Sequence, residues 1–83
     1  MRHYLKIWPQ NLFPILEGKK TCEVRLNDRD YKVGDVLVLR AWDTEKADWI
    51  NEMEFEREVT WINLVPGSKF VCLSIKEVKE SLV

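Results

Sequence analysis

Hydrophobic and polar residues alternate along much of this 83-residue chain, and the alternation marks out strands. His3 to Ile7 reads as the first, with His3, Leu5 and Ile7 on one face and Tyr4, Lys6 and then Trp8 on the other. Trp8-Pro9 ends it. A short helix is expected at about Leu12 to Glu17, with Asn11 as N-cap, because Pro14 then falls within the first turn, where its missing N–H costs nothing. A start at Pro9 would place Pro14 in the helix interior, at roughly 3 kcal/mol. Leu12, Phe13, Ile15 and Leu16 supply the buried face, and Gly18 ends the helix in the left-handed conformation.

Thr21 to Leu26 reads as a second strand, with Cys22, Val24 and Leu26 toward the core and Thr21, Glu23 and Arg25 on the opposite face. Asn27-Asp28-Arg29-Asp30 is a turn. The run from Val36 to Trp42 is apolar on both faces over its first four residues, which suits a central strand covered on both sides. Asp43 to Asn51 reads as a surface loop with room for one helical turn. Glu54 to Leu64 forms a long strand with Glu54, Glu56 and Glu58 on one side and Phe55, Val59 and Trp61 on the other. Its second half loses the alternation, as a bulge or barrel corner would require. Pro66-Gly67 turns the chain into a last strand, Lys69 to Ile75. The tail from Lys76 to Val83 reads as a helical turn or a frayed end.

One short helix and about five strands give a strand-dominated α+β fold, a single domain over residues 1–83. A sheet of this size must curl to protect its edges, so a small, partly open β-barrel plugged by the helix is expected.

Composition narrows the picture. Hydrophobic residues make up 46% and charged residues 33%, as in a soluble globular domain. The longest apolar runs are too short to span a bilayer, and no signal-peptide pattern opens the chain, so no membrane association and a cytoplasmic location are expected. Cys22 and Cys72 read as free thiols. His3 is the only histidine, which makes a structural zinc site unattractive, and no cofactor is expected. A monomer is the default.

The net charge of −1 argues against binding driven by charge alone, yet the charge is uneven. Residues 1–40 hold eight Lys/Arg against five Asp/Glu, and residues 41–83 hold five against nine, so the halves carry +3 and −4. The basic half contains the densest polar strip, Gly18-Lys19-Lys20-Thr21-Cys22-Glu23-Val24-Arg25. It is not a P-loop, because the glycine required five residues before Gly18 is Phe13.

Gly18, Lys20, Glu23 and Arg25 spell Gly-x-Lys-x-x-Glu-x-Arg. That pattern resembles the signature of the ASCH domains, members of the PUA-like superfamily of small β-barrels. His3-x-Leu5-Lys6-Ile7 before it, Asn27 to Asp30 and Val33-Gly34-Asp35-Val36-Leu37 after it, and Arg57-Glu58-Val59-Thr60 later extend the likeness. Together they resemble a compact bacterial and phage branch, domain of unknown function 3850. The resemblance implies a barrel with a cleft beside the helix that binds RNA. Some ASCH proteins instead hydrolyse an acylated nucleoside with a lysine and a threonine. Lys20 stands at that lysine, but Glu23 stands at the threonine, a departure that counts against hydrolysis.

The residues themselves leave two readings open. Glu23 and Arg25, two apart on one strand face, are either an ion pair on a solvated surface, worth little, or part of a ligand seat. Lys20 is three residues from Glu23, the wrong parity for that face, so it must reach in from the turn after Gly18. Lys20, Glu23 and Arg25 are the expected ligand contacts, joined by Lys6, Arg29 and, for stacking, Trp42. If the protein were an enzyme, Lys20 would be the base, with Glu23 orienting it or activating a water. The Glu54, Glu56, Glu58 row reads as a solvated face that repels nucleic acid. A protein partner gripped by Trp49, Trp61 or the 43–51 loop is a further possibility.

Overall fold

The computed structural model describes residues 1–78. Strand β1 (Arg2–Ile7) leads into helix α1 (Pro9–Leu16), followed by β2 (Cys22–Leu26), β3 (Val36–Asp43), β4 (Asp48–Trp49), β5 (Phe55–Leu64) and β6 (Phe70–Glu77). The main sheet runs in the order β1-β3-β5-β6-β2, with β4 paired to β3. β1 lies parallel to β3, and the other pairings are antiparallel. The fold is the expected strand-dominated α+β type, with a sheet that does not close: β1 and β2 are its two edges.

The core is built from alternate residues of these strands. Leu37, Leu39, Val59, Val71 and Leu73 are wholly buried, and Leu12 and Ile15 of α1 cap them. Each such side chain contributes roughly 1.5–3 kcal/mol of burial. β3 is central, as its double-sided apolar run requires: Leu37, Val38 and Leu39 are all buried.

Four expectations are corrected. The helix begins at Pro9, in the first helical position, and Pro14 does lie inside it. Pro9 has no N–H to satisfy there, and the Asn11 and Leu12 N–H groups close on the Trp8 carbonyl instead. The carbonyl that Pro14 leaves without an intrahelical donor belongs to Gln10, an exposed residue in reach of water. As part of the same correction Phe13 is exposed, because the two-proline helix turns only Leu12 and Ile15 fully inward. The 43–51 segment carries no helical turn: it is a tight hairpin in which β4 returns along β3, with Ala47 at φ 50° in the turn.

The third correction concerns β5. The register slips between Val59 and Trp61, the expected bulge, and the slip sends Trp61 outward instead of inward with Val59. The fourth matters most. Glu23 is buried and Arg25 is half-buried, whereas Val24 and Leu26 are exposed, so the faces of β2 are the reverse of those expected. The cause is the partner strand. Glu23 stands opposite Leu73 and Arg25 opposite Val71, and directly opposed residues share a face. Since Leu73 and Val71 belong to the core, Glu23 and Arg25 must point inward too. Cys22 therefore lies on the outer face, half-buried, with Val24 and Cys72. The expected tail falls partly outside the described residues, and Lys76 and Glu77 simply continue β6.

Candidate functional site

The motif forms one ion-paired cluster. Gly18, at φ 78°, turns the chain past the end of α1 so that the N–H groups of Lys19 and Lys20 both reach the Pro14 carbonyl. Lys20 then sits in the turn, and its ammonium donates to Glu23 Oε1 at 2.9 Å and to Asn11 Oδ1 at 3.5 Å. Arg25 donates to Glu23 Oε2 from Nε at 3.1 Å and from a terminal nitrogen at 2.8 Å. Both carboxylate oxygens are thus occupied by cations, which is what allows a glutamate only 4% exposed to lie beside the core.

Beside this cluster a cleft of about 670 Å³ opens along the seam between β1 and β2. Four cations line it: Lys6 from β1, Arg25 from β2, Arg29 from the following turn and Arg40 from β3. Asp28 and Glu54 add two carboxylates, and Tyr4, Tyr31 and Trp49 add rings. Arg29 donates to the Tyr4 carbonyl at 3.3 Å, so it straps the β2–β3 connection to the free edge of β1.

Two of the four cations are held by aromatic faces. The Lys6 ammonium lies 3.7 Å from the centre of the Trp42 ring, and the Arg40 guanidinium lies 4.2 Å from that of Trp49. Trp42 and Trp49 meet edge-on at 5.0 Å, fixed by the β3–β4 pairing. Arg40 also donates to the Asn51 carbonyl at 2.8 Å. This pre-orders two long side chains that would otherwise lose rotamer freedom on binding.

In the wall of the cleft, Tyr31 packs on His3 at 4.7 Å, and burial pushes its hydroxyl pKa up, opposed by Arg25 and Arg29. His3 Nε2 lies 2.7 Å from Asp35 Oδ2, which also accepts the Lys32 N–H, while Oδ1 accepts from the Met1 amino group. These bonds hold the Asp35 carboxyl at about 2, below its ordinary value of 3.8. The histidine is buried and hydrogen-bonded, supporting the wall of the cleft.

Of the expected ligand contacts, Lys6, Arg25 and Arg29 meet in the cleft. Lys20 and Glu23 are tied to Arg25 beneath and beside it and are not among its lining residues. Trp42 lies under Lys6 and faces a separate hollow next to Trp8 and Asp43. Sequence reasoning did not place Tyr4, Asp28, Tyr31, Arg40 or Trp49 among the cleft residues. It also placed Glu54 on a repelling acidic row, whereas Glu54 lines the cleft, and Glu56 and Glu58 are paired with Arg2 and Lys76. The signal for Tyr4 and Trp49 was present: Tyr4 is an exposed ring two residues from Lys6 on one strand face, and Trp49 is a half-buried ring that the β3–β4 pairing brings to Arg40.

Residues 2–75 match the sequence family described as a domain of unknown function, DUF3850, a span that takes in α1 and all of the strands except the last two residues of β6. The chain belongs to that family. Over 40 residues it is 42% identical to an uncharacterized 12.9 kDa protein in the GpA 3′ region of Escherichia phage P2. That match covers 48% of this chain and 37% of the relative, so the chain spans little more than a third of the relative's length. In this DUF3850 member, the Gly-x-Lys-x-x-Glu-x-Arg strip builds an ion-paired hub that presents one arginine to a cleft lined by residues from outside the strip. No helix among the described residues is long and apolar enough to cross a membrane.

Proposed function

We propose that this protein is an ASCH/PUA-like domain that binds RNA or a nucleotide in the cleft between β1 and β2, as a non-enzymatic reader acting in the cytoplasm. The observation that carries this reading is the convergence of Lys6, Arg25, Arg29 and Arg40 on one cleft that also holds Asp28, Glu54 and an exposed Tyr4 ring. Guanidinium and ammonium groups seat phosphate oxygens and base carbonyls, a carboxylate accepts from a base amino group, and a ring stacks a splayed base. A volume of about 670 Å³ falls within the range of small-molecule and nucleotide sites. A purely anionic ligand would leave the two carboxylates opposed to it.

Nothing favours the hydrolase reading. Lys20 donates to Glu23 and faces Asn11, and Glu23 spends both oxygens on Lys20 and Arg25, so neither is free to activate water over the cleft. The binding reading is tested by titrating short single-stranded RNAs and nucleoside monophosphates against wild type and Arg29→Ala. Saturable binding, weakened in the variant, supports it, and failure of every probe to bind the folded protein removes it.

A further inference from the structure

The cleft does not end at its own rim. A hollow of about 320 Å³ on one side, next to Trp8 at the start of α1, shares Lys6, Arg25 and Leu26 with it. A hollow of about 610 Å³ on the other side, under the β5–β6 turn at Phe70, shares Leu26 and Asp28. Shared lining residues therefore set the three depressions side by side, from the start of α1, along β2 and past its end to the β5–β6 turn. That strand alone, Cys22–Leu26, extends about 17 Å, longer than a single nucleotide needs.

Each section carries an exposed ring, and cations stand at the first junction. Trp8 is 51% exposed, Tyr4 61% and Phe70 46%. Lys6 and Arg25 form the ridge between the Trp8 hollow and the cleft. Across the first junction, two rings with cations between them match the alternation of bases and phosphates in a nucleic-acid strand, whereas the second junction carries Asp28 and no cation. A free mononucleotide would use only the central section.

We infer that the ligand is a single strand of at least three nucleotides, lying along the β1–β2 seam. The central base sits in the cleft, its neighbours pack on Trp8 and Phe70, and the phosphate between the first two rests on Lys6 and Arg25. This inference rests on the proposed binding function and adds the ligand's length, its path and two contact residues, Trp8 and Phe70. Sequence tolerance follows for the outer positions, because every base offers a face to a ring.

The test is a length series on the unmodified protein, adenosine 5′-monophosphate and oligoadenylates of two to six nucleotides, followed by Trp8→Leu and Phe70→Leu with the trinucleotide. Affinity is expected to rise at least tenfold from mononucleotide to trinucleotide and then level off. Each variant is expected to weaken the trinucleotide by about fivefold or more, the loss of one stacked base. Equal affinity for mononucleotide and trinucleotide, or both variants binding the trinucleotide like wild type, overturns the inference while leaving the cleft as a nucleotide site. No binding at any length overturns the underlying reading as well.

Discussion

Arg25 grips Glu23 through two nitrogens on one carboxylate oxygen, at 3.1 and 2.8 Å, and both residues point toward the core side of an edge strand. Lys20 holds the other oxygen, so the signature strip is first of all a piece of structure. It orients Arg25 toward the cleft and fastens β2 to the turn after α1. Removing the carboxylate leaves two cations without their partner. Because Lys20 and Arg25 are partly exposed and can rehydrate, Glu23→Ala is expected to cost about 1–3 kcal/mol, below the cost of breaking a fully buried pair. Urea unfolding checks this, and a midpoint unchanged from wild type would show that the cluster contributes nothing to the fold.

Gly18 is a second lever on the same cluster. At φ 78° a side chain is strained, although a Cβ there would meet no atom within 4 Å. The cost of Gly18→Ala is therefore conformational alone, about 1 kcal/mol. Thermal unfolding should show a modest drop in midpoint, with the native fold retained. A stabilised variant would mean that the turn after α1 is not held as described.

Asp35 makes stability depend on acid. Its carboxyl is held at about 2 in the folded chain against 3.8 ordinarily, so the folded state favours the charged form. The resulting stabilisation is fully present above pH 4 and is lost as pH falls toward 2, with a size of about 2 kcal/mol. Asp35→Asn should accordingly be less stable than wild type at pH 7, and the gap should close between pH 4 and pH 2. A gap that stays constant over that range would contradict the assignment.

The thiols are diagonal neighbours on the outer face of β2 and β6, since Cys72 pairs with Val24 and Cys22 with Ser74. Burial pushes the Cys72 thiol pKa up, and the nearby Cys22 adds to the rise. Alkylation of native protein at pH 8 should therefore be slow at Cys72 and should accelerate on unfolding in urea. Equal rates in the native and unfolded states would show that Cys72 is more accessible and more acidic than its surroundings allow.

Alternation alone grouped His3, Leu5 and Ile7 on one face of β1 and Val71, Leu73 and Ile75 on the inner face of β6, and all six are buried, while the double-sided apolar run marked β3 as covered on both sides. It failed on β2, where two patterns compete. Val24 and Leu26 look like core residues, yet Val71 and Leu73 across the strand decide the pleat and turn Glu23 and Arg25 inward. Such a choice is invisible until strands are paired, since a single strand does not say that its charges will be mutually satisfied. The bulge after Val59 was legible as broken alternation, but its effect on Trp61 was not. Likewise Lys6, Arg25 and Arg29 were legible as a basic group, while Trp49 reaches the cleft only because the β3–β4 hairpin folds it back beside Trp42.

A few phosphate contacts imply a shallow response to salt. With Lys6, Arg25, Arg29 and Arg40 as the cleft cations, binding should weaken with a log–log slope of about −3, less steep than for broadly basic proteins. A slope near −5 would point to contacts spread over the surface rather than gathered in the seam.

The most direct measurement is a titration of isotope-labelled protein with a short single-stranded RNA, read residue by residue from amide shifts. Saturable changes at Tyr4, Lys6, residues 25–29, Arg40 and Trp49, with Thr60 and Lys76 on the outer face undisturbed, are the predicted result. Absence of saturable changes, or changes confined to the outer face of β5 and β6, would contradict a nucleic-acid site in the cleft.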